Sequence, residues 1–420
     1  MQPHMVTDIL PRLNGYARAR LQPGEIMRKT LNTAAAILVL NILGLTLPVA
    51  FCKPSASQPK LLWMRDQTEI EAPSFSADGK ELLMTIKSHE PDGHEAESYS
   101  EAQLKEIGDR MLTNPRWADP QISILKVADR SISTVDYGWS GTFSKQGDRV
   151  FYDHQVKPIS GFRRLAQPLA GNDIRVFDRN SHKSQILVNA PSVGYLGDPL
   201  VSPDGARLAY TINDAVNGAW GGTTGFGIVD LRTNTTSTAI APAKEHDLYR
   251  LVGPAFWASN TAVAKVEIPA DSGMYLAEHY DTEVVNESGK VLFRGEHHDL
   301  GSDDIECRSS PDGKVQICRS EQAPCLVVDP GTGETVATNM HAPATGIVSP
   351  DGRFTAYATK GSLILKNLQS GKWRSYRYKG EMTKIVWSPD STKIAFITDV
   401  GRTPDPYSTF VRDELWLFHI

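Results

Sequence analysis

The sequence predicts an all-β fold: a seven-bladed β-propeller of four-stranded antiparallel blades, its ring closed by pairing of the N- and C-terminal strands, with one helical insertion. Three observations predict it. A Ser-Pro-Asp-Gly hairpin or a variant of it occurs seven times, centred on Asp78, Gln146, Asp204, Asn260, Asp312, Asp351 and Asp390. Successive centres lie 39 to 68 residues apart, and a recurrence of about 40 to 50 residues with insertions marks a propeller blade. A further short apolar run ending in Asp or Asn follows each hairpin in most copies, giving the strands of a second pair.

Composition bounds the rest. The 420 residues are 40% hydrophobic and 22% charged, enough for a large globular core. A formal charge of −5 supplies no overall basic field, so nucleic acid is not an expected partner.

Residues 1–26 read as an upstream extension, with Met27 as the start. Arg28 and Lys29 then precede an apolar run from Ala34 to Leu47, interrupted by Asn41, Gly44 and Thr46 and followed by Pro48 and Ala50. This is the layout of a secretory signal peptide. Residues 27–52 are therefore expected to be a signal peptide or a membrane or lipid anchor, and the body to be periplasmic or extracellular. Three fates stay open: ordinary cleavage, lipidation at Cys52, which Phe51 disfavours, and retention as a short anchor. Residues 53–60 form a linker, and the propeller spans 61–420.

The propeller begins with LLWMRD (61–66), which belongs to no complete blade of its own. The clearest hairpin is VSPDGARLAYT (201–211): Pro presets φ, Asp bonds its own backbone and Gly accepts positive φ. APSFSADGKELLMT (72–85), TGIVSPDGRFTAYAT (345–359) and KIVWSPDSTKIAFIT (384–398) follow the same plan with at most one residue of the Pro-Asp-Gly triplet changed, whereas GTFSKQGDRVFY (141–152) and GPAFWASNTAVAKV (253–266) lack the triplet and depart further. Third strands are expected at ISILKVAD (122–129), DIRVFD (173–178), FGIVD (226–230), TEVVN (282–286), CLVVD (325–329), SLILKN (362–367) and ELWLFHI (414–420). The last copy then lacks a fourth strand, which LLWMR can supply, removing two exposed sheet edges.

With these hairpins and the hydrophobic strands after them, residues 61–420 resemble the TolB-type repeats of bacterial β-propellers, relatives of the Trp-Asp-repeat propellers. The resemblance implies the fold and leaves function open, because such propellers include binding proteins, sugar-lyase relatives and noncatalytic parts of serine peptidases.

The hairpin turns are short, whereas long insertions fall between second and third strands, at 86–121, 153–172, 212–224 and 399–413. These belong to the opposite face, where binding is expected. In the first insertion Ser98 and Glu101 have capping-box spacing, and Leu104, Ile107, Met111 and Leu112 predict a helix over 99–112. His89, Asp92, His94 and Glu95 before it form either a divalent-metal set or a solvated acidic loop. Candidate binding groups on this face are Arg163, Arg164, Tyr195, Trp220, Arg377, Tyr378, Arg402 and Tyr407, which supply cations and aromatic rings for a peptide or glycan. His246, His298 and His341 lie in or near interblade connections and are candidate metal ligands at a channel mouth. In the fifth copy, simple hairpin register places Cys307 opposite Cys318, making them a candidate disulfide. GWSGT (138–142) departs from the nucleophile elbow at Thr142 and leads into a hairpin rather than a helix, so Ser140 reads as a loop residue and no catalytic residue is assigned.

The function expected from these readings is noncatalytic binding of an envelope protein, peptide or polysaccharide through the insertion-bearing face, with no cofactor and with membrane contact only through the N-terminal segment. The alternative is a metal-assisted polysaccharide lyase or hydrolase that uses the histidines and a divalent ion.

Overall fold

The computed structural model describes residues 58–65, 68–88, 119–156, 171–190, 194–214, 223–240, 251–252, 256–269, 279–299, 306–309, 312–318, 325–340, 346–359, 361–400 and 412–420, with isolated positions between 102 and 116. Contacts divide the chain into Met1–Ala56, outside the described residues, and Ser57–Ile420, which holds every described strand.

Strand β1 (Lys60–Met64) precedes a first sheet of β2 (Thr68–Phe75), β3 (Glu81–Ser88), β4 (Gln121–Lys126) and β5 (Ile132–Tyr137). The second sheet contains β6 (Gly141–Phe143), β7 (Arg149–His154), β8 (Asp173–Asp178) and β9 (Lys183–Val188). The third contains β10 (Tyr195–Val201), β11 (Arg207–Asp214), β12 (Thr223–Asp230) and β13 (Thr235–Ile240). In the fourth, β14 (Leu251–Val252) and β15 (Phe256–Ala258) both pair with β16 (Thr261–Pro269), and β17 (His279–Asn286) and β18 (Val291–Asp299) follow. The fifth contains β19 (Glu306–Ser309), β20 (Val315–Cys318), β21 (Cys325–Val328) and β22 (Thr335–Met340). The sixth contains β23 (Ile347–Val348), β24 (Phe354–Thr359), β25 (Ser362–Asn367) and β26 (Trp373–Arg377). The seventh sheet joins β27 (Glu381–Trp387), β28 (Lys393–Asp399) and β29 (Asp413–His419) to β1, which pairs antiparallel with β29 from Lys60 opposite Leu417 to Met64 opposite Glu414. The fold is thus an all-β propeller of antiparallel blades with almost no helix.

The middle strands of each blade are covered on both faces by neighbouring sheets, so they read as nearly continuous apolar runs. ELLMTIKS in β3 and KIAFITD in β28 are buried almost throughout. Outer strands meet a neighbour on fewer sides and turn polar, as in KSQILV of β9 and TTSTAI of β13. Six apolar clusters join consecutive sheets. Leu83, Ile122 and Ile124 meet Phe143, Val150 and Tyr152 between the first and second, and Leu62, Leu415 and Leu417 meet Ile70, Leu82 and Met84 between the seventh and first.

Turn chemistry explains why Ser leads the repeated motif. Ser76, Ser202, Ser349 and Ser388 are buried, and each hydroxyl donates to the Asp two residues on, at 2.7, 2.5, 2.6 and 2.6 Å. The same oxygen accepts the backbone N–H five residues on, from Glu81, Arg207, Phe354 and Lys393. In the second copy Gln146 stands where the other turns have Asp, and Asp148 takes over as acceptor for Ser144 at 2.7 Å. The fourth copy drops the device: Ala258 pairs with Thr261 across a tight two-residue turn, with Ser259 at φ 53°.

The other Ser-Asp hairpins pair the residue three before the central Asp with the residue four after it, as in Val201 with Leu208 and Trp387 with Ile394. The fifth pairs Ser309 with Val315, one residue shorter, so Cys307 faces Ile317 and Cys318 faces Glu306. A one-residue slip places directly opposed side chains out of step, so Cys307 and Cys318 are not the directly opposed pair that simple register predicts. The helix expected over 99–112 falls largely outside the described residues; Ala102, Lys105, Asp109 and Thr113 are helical and exposed, and the Thr113 hydroxyl donates to the Asp109 carbonyl at 3.0 Å.

Candidate functional site

The face that carries the insertions is built from the starts of the first strands and the ends of the second strands of each sheet. Its best-defined part lies where the first, second and third sheets adjoin.

Asp153, next to last in β7, organises this part. It is 3% exposed, and its Oδ1 accepts the backbone N–H of Trp139 at 2.8 Å and of Ser140 at 2.7 Å. Those bonds fix the entry into β6. The chain there passes so close that a Cβ on Gly138 would sit 1.8 Å from the Asp153 carbonyl oxygen, so glycine is required by space. Burial pushes the Asp153 carboxyl up to about 7, against the two backbone N–H bonds and with Asp198 adding repulsion.

Asp198 is the exposed member of this acidic pair. It accepts from the Ser140 hydroxyl at 3.3 Å and the Thr211 hydroxyl at 3.2 Å, and its own N–H donates to Ser140 Oγ at 3.0 Å. A bulge aims it. Asp198 has φ 50°, precedes Pro199, and sits where the β10–β11 register shifts between Gly197 and Leu200. Ala72 before Pro73 repeats the device in β2, with φ 47° and a shift between Glu71 and Ser74. Bulges of this kind turn a side chain out of the regular ladder.

Charged and aromatic groups continue the arc across neighbouring sheets. Lys87 pairs with Glu69 at 2.9 Å and lies over the Trp139 ring at 5.6 Å, while the Thr85 hydroxyl donates to the Trp139 carbonyl. Desolvation holds Glu71 above the usual carboxylate range; Lys87 opposes this, Glu69 reinforces it, and Lys384 of β27 opposes it. On the outer side, Asp136 Oδ2 receives the Tyr152 hydroxyl at 2.7 Å and lies 3.1 Å from His154 Nδ1. Burial alone would raise Asp136, but the close approach of His154 and the bonds from Tyr152 and the Tyr137 N–H outweigh it and hold the carboxyl at about 2. Arg116, on the return of the first insertion, donates to the Gln155 carbonyl at 2.8 Å and stacks 4.0 Å from the Tyr137 ring centre.

Of the sequence-predicted binding groups, Tyr195 belongs to this region. It opens β10, is half-buried, and its phenol is raised by burial. Tyr378 is instead a packing residue: its hydroxyl donates to the Thr359 carbonyl at 3.1 Å and its ring tilts against Phe396 at 5.9 Å. Arg377 ends β26 and is exposed, on a different sheet from Tyr195. Arg163, Arg164, Trp220, Arg402 and Tyr407 lie outside the described residues, as do Cys52, His89, Asp92, His94, Glu95, His246 and His341. His298 is in β18 opposite Tyr280, with its side chain outside the description. Among the described residues no group of three or more His, Cys, Asp or Glu is placed to hold a metal ion.

Sequence reasoning missed Asp153, Asp198 and Lys87. A usable signal existed for Asp198: a residue before Pro inside an expected inner strand, in EAPSF and GDPLV, marks a bulge. Nothing local distinguishes Asp153 from any Asp near a strand end.

No family model matches the sequence, and no curated protein matches it. Solved structures do. An oligogalacturonate lyase in complex with manganese superposes with a TM-score of 0.53 at 14% identity, covering 87% of this chain and 98% of that one. The oligogalacturonate lyase of Vibrio parahaemolyticus gives 0.50 at 12%, covering 86% and 98%. TolB from Acinetobacter baumannii gives 0.36 at 13%, covering 71% and 76%. At these identities the likeness is one of fold: the chain has the architecture of a β-propeller.

Proposed function

We propose that this chain is an exported, noncatalytic β-propeller that binds a protein or cell-envelope polymer through its insertion-bearing face. In this reading the seven sheets are the blades of a ring joined at β1 and β29, the helix over 99–112 lies on the ring, and residues 27–52 direct the body to the periplasm or the cell exterior. One observation carries the choice of face. At the hairpin end, the Ser and Asp side chains of four turns satisfy one another and their own backbone, leaving little for a partner. At the other end, Asp198, Lys87, Trp139 and Tyr195 gather beside the bases of the long insertions. The test is capture from envelope extracts by the full chain and by a variant lacking residues 89–118. Loss of specific partners in the variant is expected; equal capture of the same partners would refute the face.

A second reading is a metal-assisted polysaccharide lyase or hydrolase. It is favoured by chain order: His246, His298 and His341 fall at or in the links that leave the third, fourth and fifth sheets, so three successive links each bring at least one histidine. The oligogalacturonate lyase that shares this fold holds manganese. Elemental analysis of the purified protein separates the two readings. One divalent ion per chain, lost on His298→Ala or His341→Ala, favours the second; metal-free protein inert on uronate oligosaccharides favours the first.

A further inference from the structure

Charge is distributed unevenly along the chain. Between Asp351 and Glu381 there are seven Lys or Arg residues and no Asp or Glu, in a protein whose formal charge is −5. The structure folds this stretch into the last three strands of the sixth sheet, β24, β25 and β26. Its outermost strand, β26, is hydrogen-bonded to β25 alone among the described strands and carries the sequence WRSYR with every residue but Tyr376 exposed. Among the described residues, Lys366, Lys372, Arg374, Arg377 and Lys379 form no ion pair. Arg353, at the start of the stretch, pairs with Asp351, and Arg294 of the fourth sheet pairs with Glu283; the five cations named above have no such partner among the described residues.

The two faces of this sheet differ. Leu363, Leu365 and Tyr376 point into the cluster shared with the seventh sheet. Alternation then puts Lys366, Trp373, Ser375 and Arg377 on the opposite face, where Lys366 pairs across from Trp373, Ile364 from Ser375 and Ser362 from Arg377. None of the six apolar clusters among the described residues lies on that face. Trp373 is 64% exposed, the most exposed large apolar side chain among the described residues. A solvent-facing Trp flanked by unpaired cations on an open strand edge is costly to leave bare and well suited to contact.

We propose that the outer edge of the sixth sheet binds an extended acidic peptide, which adds to β26 as a fifth strand and places one carboxylate against Arg377 and another at the level of Trp373, beyond which Lys366 lies on β25. Three features select a peptide over other polyanions. The free edge of β26 presents backbone N–H and C=O groups that only another backbone satisfies as a ladder. Trp373, Ser375 and Arg377 repeat every second residue, about 6.7 Å apart, which is the repeat of a paired strand. Arg374 projects to the other face, so cations are available to both sets of alternating peptide side chains. This surface runs along the flank of a blade and does not depend on the proposed insertion-bearing face.

The experiment uses the full chain and a short, end-capped, fluorescein-labelled peptide of alternating Glu and Thr, read by anisotropy. Saturable binding is expected, weakening as salt rises. Trp373→Ala and Arg377→Glu should each raise Kd about tenfold or more, a loss of about 1.4 kcal/mol per tenfold. Lys183→Glu, an exposed cation on β9, should leave it unchanged. Two peptides, each N-methylated on one alternating set of residues, separate strand addition from simple charge attraction: one of the two must fail to bind. The variants change exposed side chains, and their circular dichroism should match the parent. Equal binding of both N-methylated peptides would overturn the proposal, as would an equal loss in Lys183→Glu. So would capture of phosphatidylglycerol vesicles or polygalacturonate through Arg377 without binding of the peptide. Retained peptide binding in the 89–118 deletion would show this surface to be separate from the insertion-bearing one.

Discussion

Asp153 sets a pH dependence that can be predicted in sign. Its carboxyl is held at about 7 by burial, whereas an unfolded Asp titrates near about 3.9. Between those values the folded chain keeps a proton that the unfolded chain releases. Stability from the neutral carboxyl is therefore complete below about pH 4 and lost as pH rises through about 7. Asp153→Asn keeps an acceptor for the Trp139 and Ser140 N–H groups and removes this loss. Urea unfolding of both proteins should show the variant gaining on the parent by about 1.4 kcal/mol per pH unit between 4 and 7; a difference that stays flat with pH refutes the assignment. A second residue-scale prediction concerns the turns. Ser388 is fully buried, donates to Asp390 and accepts from Lys393 N–H, so Ser388→Ala leaves that N–H without its partner and should cost about 1 to 3 kcal/mol in the same assay. The Ser-Asp turn was legible in the sequence because its chemistry lies within six residues. Asp153 was not, because the groups that set its state, the Asp198 carboxylate that repels it and the Asn172 amide that donates to it, come from elsewhere in the chain.

At the scale of elements, neighbouring sheets are tied by tryptophan as well as by apolar contact. Trp257 Nε1 donates to the Leu200 carbonyl at 2.8 Å, and Trp387 Nε1 to the Ile347 carbonyl at 2.9 Å. Each reaches the inner strand of the preceding sheet and satisfies a carbonyl beside it. Trp387→Phe keeps most of the ring and removes the donor; a loss of about 1 kcal/mol or more is expected by chemical denaturation. A closer tolerance occurs at Gly227 of β12, where an added Cβ would meet the Tyr210 ring at 2.5 Å. Tyr210 is buried in the cluster between the second and third sheets, so it cannot simply swing away. Gly227→Ala should destabilise by about 1 to 3 kcal/mol, and Tyr210→Phe, which removes only the hydroxyl, should relieve part of that cost. Strand identity was readable from the apolar runs, since blade interiors impose burial on both faces. The Cys307 register was not: a turn shortened by one residue looks the same in a one-dimensional pattern, although it exchanges every facing pair.

For the molecule as a whole, the seventh sheet mixes both ends of the described chain. Leu62 of β1 packs with Leu415 and Leu417 of β29 and with Ile70 and Leu82 of the first sheet. Leu62→Ala, at 5% exposure, should cost about 2 to 5 kcal/mol, and scanning calorimetry should show one lowered transition if the sheets unfold together. A separate early transition confined to the seventh sheet would argue against such cooperativity. The pairing also has a consequence for the order in which the molecule is made. Of the described strands, β1 leaves the ribosome first and its neighbour β29 last, so this sheet cannot be completed until Asp413–His419 has emerged. Any product truncated before Asp413 keeps β28 with an open, strongly apolar edge and leaves β1 unpaired, the kind of surface that attracts proteases and chaperones. The junction therefore distinguishes a chain that carries β29 from one that stops short of it.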